Sequence, residues 1–87
     1  MTGAELRTLL TDCLALWGVS GDVAAAPGAA EIGTPAGRFV LRRAAPNDRP
    51  VRWFLRTPDR EAAGRGPRAL PSIVAALGAL KRENVGS

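Results

Sequence analysis

Leu6, Leu9, Leu10, Cys13, Leu14 and Trp17 recur at the three-and-four spacing that lines one face of a helix, with polar residues between them. Thr2 stands three residues before Glu5. That spacing makes a capping box: the threonine hydroxyl accepts from the Glu5 amide, and the glutamate carboxylate accepts from the Thr2 amide. Gly18 follows the last apolar position and supplies a left-handed stop. These features predict a helix over about 2–17.

The pattern then changes period. Residues 19–37, VSGDVAAAPGAAEIGTPAG, are small and interrupted by Pro27 and Pro35. They predict weak strands over about 21–33, near Gly21–Ala26 and Ala30–Gly33, with TPAG as a turn. RFVLRR and VRWFLRT are richer in β-branched and aromatic residues and flank AAPNDRP, whose Pro46, Asn47, Asp48 and Pro50 are turn chemistry. A hairpin over 38–57 follows. Side chains alternate along a strand, so Phe39, Leu41, Val51, Trp53 and Leu55 share one apolar face. Arg38, Val40, Arg42, Arg52, Phe54 and Arg56 share the other. Core parity and the turn suggest partners whose numbers sum to about 94. That register sets Leu41 opposite Trp53, Phe39 opposite Leu55 and Val40 opposite Phe54. It also sets Arg42 opposite Arg52 and Arg38 opposite Arg56.

PDREAAGRGPRA reads as a loop over 58–69. A second helix is predicted over about 70–83, with Pro71 tolerated in its first turn because the missing N–H would be unpaired there. Its stripe is Ile73, Leu77 and Leu80, flanked by Leu70, Val74 and Ala76; Lys81 and Arg82 suit the negative end of the helix dipole. The predicted order is α-β-β-β-α with room for one extra strand. That is a small two-layer α+β sandwich, a single domain over 1–87, with an antiparallel sheet and both helices on one face.

Composition narrows the chemistry. With one cysteine and no histidine, a single chain builds neither a disulfide nor an ordinary zinc site, so no metal or cofactor is expected. A lone thiol suits a reducing compartment, the start MTGAELRTLL lacks a basic leader, and no apolar run approaches the roughly 20 residues that span a bilayer. The expectation is a cytoplasmic protein with no membrane partner. The chain also lacks tyrosine, which leaves few general acids, bases or nucleophiles. Cys13 reads as a small buried apolar residue without a histidine to activate it. Asp59 and Glu61 read as solvated carboxylates, and Trp17 and Trp53 as core. A non-catalytic protein is expected.

Charge singles out a surface. Residues 1–37 hold one basic side chain against four acidic ones, a net of −3; residues 38–87 hold eleven against four, a net of +7. Eleven of the twelve basic residues are arginine, beside abundant alanine, glycine and proline, a composition that a GC-rich genome also favours. Arginines facing each other across strands are unfavourable by about 0.2–1 kcal/mol per pair, so the predicted register calls for a counter-charge. Glu31 is the internal candidate; a protein partner, a second copy covering Val40 and Phe54, or a nucleic acid are the external ones. Arg65 and Arg68 precede the second helix, whose N-terminal amides could attract an anion. The leading expectation is a binding or accessory module acting through this arginine-rich face, by protein contact or self-association. The alternative is a nucleic-acid-binding module in which the same arginines hold phosphates and Phe54 stacks a base.

Overall fold

The computed structural model describes residues 2–48 and 50–85, with the backbone alone for Asp48. The chain begins with α1 (Gly3–Trp17) and continues through β1 (Asp22–Ala26), β2 (Ala29–Thr34) and β3 (Gly37–Arg43). A short 3-10 turn at Pro46–Asp48 leads to β4 (Trp53–Arg56). Then come α2 (Pro58–Ala62), β5 (Arg68–Leu70) and α3 (Ile73–Asn84).

α1 forms where its pattern demands. Thr2 Oγ1 accepts from the Glu5 amide at 3.1 Å, and Glu5 Oε1 accepts from the Thr2 amide at 2.8 Å. Gly18 ends the helix at φ 70°, a left-handed conformation that a side chain would strain. Leu6, Leu10 and Leu14 are buried, whereas Leu9 and Cys13 lie half-exposed on the flank. The buried stripe is therefore narrower than the apolar spacing implied, and Cys13 is not a core residue.

The five strands form one antiparallel meander in chain order, with the two-residue turns Pro27–Gly28 and Pro35–Ala36 closing its first two hairpins. One face carries Ala30, Ile32, Phe39, Leu41, Trp53, Leu55 and Leu70, all buried. They join Leu6, Leu10 and Leu14 of α1 and Ala76, Ala79 and Leu80 of α3 in a single core. α1 packs on β1 and β2, and α3 on β4 and β5. The fold is a two-layer α+β sandwich with both helices on the same face of the sheet, as the sequence implied.

The segment over 58–69 is not a loop. It folds as α2 and then β5, which brings the sheet to five strands. Thr57, itself buried, caps α2 by accepting from the Arg60 amide at 3.2 Å, and Pro58 takes the first turn, where its missing N–H costs nothing. Arg60 Nε then donates to the Gly66 carbonyl at 2.8 Å and folds the connection back toward the sheet. β5 has three residues, too few for alternation to announce a strand. It sets Leu70 opposite Trp53 and so places Leu70 in the sheet rather than in the helix.

α3 accordingly starts at Ile73, with Ser72 Oγ accepting from the Ala75 amide at 3.1 Å. Its buried residues are Ala76, Ala79 and Leu80. Leu77 is only half-buried, and Val74, expected beside the core, is 75% exposed. Ala76, Ala79 and Leu80 take the sheet-facing positions, and Val74 lies off that stripe. The C-terminal end of α3 is tied to the β2–β3 turn, because Thr34 Oγ1 donates to Asn84 Oδ1 at 2.6 Å. At the start of β3, Gly37 has φ 133°, and a Cβ there would stand 2.5 Å from Pro58 Cγ. Glycine is what lets α2 seat on the sheet at that point.

Candidate functional site

Among the described residues no second layer covers the sheet face turned away from the helices, and six of the eight residues singled out by sequence lie there. Arg38, Arg42, Arg52 and Arg56 are exposed, and Val40 and Phe54 are half-buried between them. The pairing differs from the one expected. Partners on β3 and β4 are Val40–Arg56, Leu41–Leu55, Arg42–Phe54 and Arg43–Trp53. The register is shifted by two residues, which preserves the core face but changes every partner. No arginine of the open face lies opposite another within the β3–β4 ladder: Arg42 faces Phe54 and Arg56 faces Val40. The predicted Arg42–Arg52 and Arg38–Arg56 oppositions are therefore overturned. The reason is electrostatic: the slide removes two like-charge pairs of about 0.2–1 kcal/mol each. It also lets the Arg42 guanidinium sit over the Phe54 ring, 5.2 Å from its centroid.

The other three strands extend this surface. Ala26, Ala29, Arg42, Phe54 and Ala69 form one row across the sheet; Ala24, Glu31, Val40 and Arg56 form the next. Glu31 takes the expected neutralising place, but loosely. Its Oε2 lies 3.7 Å from Arg38 Nη1, with both side chains more than half exposed (65% and 55%), so solvent screens most of the attraction. Among the described residues, Arg38 is the one arginine of this face that reaches a carboxylate. Beside the arginines lies a shallow depression of about 280 Å³, lined by Ala24, Ala26, Ala29, Glu31 and Val40. Sequence reading assigned no role to those alanines. The available signal is the run of small residues on both sides of the Pro27–Gly28 turn, in DVAAA and AAEIG.

Arg65 and Arg68 do not join this surface. Arg68 stands opposite Leu55, on the helix side of the sheet, in a small cleft with Asp59, Arg60 and Glu83. Arg65 is exposed in the α2–β5 connection. Arg65 precedes β5 and Arg68 begins it, so neither directly precedes α3, which starts at Ile73 with Ser72 as its cap.

The remaining chemistry is sparse. Burial, and then the Asp12 charge, push the Cys13 thiol above its ordinary pKa, so its thiolate is scarce at neutral pH. The Thr2 hydrogen bonds, backbone first, hold the Glu5 carboxyl below its ordinary value. Asp59 and Glu61 are exposed in α2, Trp53 is a core residue, and Trp17 is partly buried against the core cluster. Among the described residues there is no group of three or more histidine, cysteine or acidic side chains that could hold a metal ion. No described helix is long and apolar enough to cross a membrane.

The fold and face thus define a small α+β sandwich with one sheet face uncovered. No protein-family model, no curated protein and no solved structure matches the chain.

Proposed function

We propose that this chain is a non-catalytic binding module of a reducing, cytoplasmic setting, and that its open sheet face docks an acidic segment of a partner protein. One observation carries the reading: Arg42 and Arg56, without carboxylate partners among the described residues, stand opposite Ala29 and Val40, which with Ala24, Ala26 and Glu31 line a shallow and mostly apolar depression. Fold stability requires no arginine at these outward positions. A partner offering carboxylates and an aliphatic side chain a few residues apart complements both halves at once. Phosphate and sugar would satisfy the arginines and leave the alanine depression unused. The position of Arg42 over Phe54 also favours protein over nucleic acid, because it covers a ring face that a base would need.

Fluorescence anisotropy tests the reading. The probes are a labelled peptide alternating glutamate and leucine, and single-stranded and duplex oligonucleotides. The peptide is expected to bind more weakly as salt rises, with Arg42→Glu lowering affinity at least about tenfold and Val40→Asp weakening it as well. Oligonucleotides binding more tightly than the peptide, and competing with it, would transfer the face to nucleic acid. An unchanged affinity in Arg42→Glu would remove the face from binding altogether.

A further inference from the structure

The two edges of the sheet are built differently. β5 has three residues, lies between Pro67 and Pro71 and carries Arg68. Short length, flanking proline and charge all discourage pairing with another strand. β1 has five residues, DVAAA, without proline or a basic side chain.

The outward backbone groups of β1 follow from the ladder. The Gly28 carbonyl accepts from the Arg43 amide at 2.7 Å, so even-numbered residues of β2 direct their N–H and C=O toward β3 and odd-numbered ones toward β1. Ala29, Glu31 and Gly33 stand opposite Ala26, Ala24 and Asp22. Val23 and Ala25 are thereby left with N–H and C=O directed away from the sheet.

We propose that β1 pairs with β1 of a second copy, antiparallel about Ala24, joining two five-stranded sheets into one continuous sheet. In that register Ala24 meets Ala24 of the second copy, Val23 meets Ala25, and Asp22 meets Ala26. No like charges oppose each other along the strand, and the outward groups of Val23 and Ala25 pair reciprocally. α1 packs on β1 and also on β2; Ala30 and Ile32 of β2 are buried while Val23 and Ala25 of β1 are half-buried, so the edge strand is only partly covered. Charge excludes the other symmetric arrangement. Stacking open face on open face, at about 10 Å, would press two arginine clusters together. Edge pairing keeps Arg42 of the two copies five strand spacings apart, roughly 24 Å, well beyond the Debye length of about 8 Å. The guarded β5 edge has a consequence as well: head-to-tail addition is blocked, so association closes at two copies instead of growing into a filament.

Sedimentation of the full chain from about 5 μM to about 1 mM tests this. The mass should rise from 9.1 kDa toward twice that value and stop there. Ala25→Pro removes an outward N–H that the native ladder does not use, so it should weaken pairing at least about tenfold while the far-ultraviolet circular dichroism stays native. Should that variant unfold, Ala24→Lys keeps the test, since it sets two ammonium groups directly opposite each other from an exposed position and should weaken pairing several-fold. Leu16→Ser and Val74→Ser, which remove the most exposed apolar side chains of the helix layer, should leave it unchanged. A strict monomer throughout the range would overturn the proposal. So would a dimer indifferent to both β1 substitutions, or species that keep growing past two copies.

Discussion

The β1–β2 hairpin and the β3–β4 hairpin lie in one sheet and bury the same face beneath the same helix layer. Inward they are alike: Ala30 and Ile32 in the first and Phe39, Leu41, Trp53 and Leu55 in the second belong to one core. Outward they have little in common. The first shows Ala24, Ala26, Ala29 and Glu31; the second shows Arg38, Arg42, Arg56 and Phe54. Folding constrains the inward positions by burial and leaves the outward ones largely free. The contrast therefore says little about stability and much about what each half can meet: small side chains at a bare edge, and cations beside a shallow apolar seat.

The helices above these halves differ too, and this predicts the largest effect. α1 buries three leucines, while α3 buries two alanines and one leucine. Leu10→Ala should cost about 2–5 kcal/mol, because Leu10 is fully enclosed and its loss removes buried apolar contacts. Leu77→Ala, at a half-buried position, should cost about 1–2 kcal/mol. Urea midpoints of the two variants check the order. Equal losses would mean that α3 carries as much of the core as α1.

A smaller effect belongs to the N-terminal cap over the alanine half. Thr2→Ala should cost about 0.5–2 kcal/mol, read as a lower urea midpoint. The cap also has a pH signature. The Glu5 carboxyl titrates lower in the folded chain than in the unfolded one, because Thr2 hydrogen-bonds its charged form. Its contribution is thus present above the unfolded value and lost as pH falls through the folded one. The midpoint difference between wild type and Glu5→Gln should be full at neutral pH and vanish on acidification through the carboxylate range. A difference that persists in acid would contradict the carboxylate's part in the cap.

Much of this architecture was legible in the sequence, and the rest was hidden for physical reasons. The T-x-x-E spacing, the leucine period and Gly18 announced α1, because capping and burial are local and each leaves a residue type behind. Alternation sorted Phe39, Leu41, Trp53 and Leu55 from Arg38, Arg42, Phe54 and Arg56. Register is harder to read, since a two-residue slide leaves parity untouched; opposed arginines mark the predicted alignment as unfavourable. β5 could not be read because three residues carry no period, and its identity depends on Leu70 finding Trp53 across the sheet. α3 misled at Val74 because alanines, which count weakly as apolar, set the contact angle. The depression beside Val40 is hidden for a related reason: alanine becomes a surface feature only when two strands bring several together beside a third.

The central claim is that the open face, and not the helix layer, receives an acidic protein segment. Chemical-shift mapping on the labelled chain, titrated with the glutamate–leucine peptide, tests it most directly. The account predicts that the amides of Val40, Arg42, Phe54 and Arg56 move together with those of Ala24 and Ala29, while α1 and α3 stay still. Shifts centred on Leu16 or Val74, or none at saturating peptide, would contradict it.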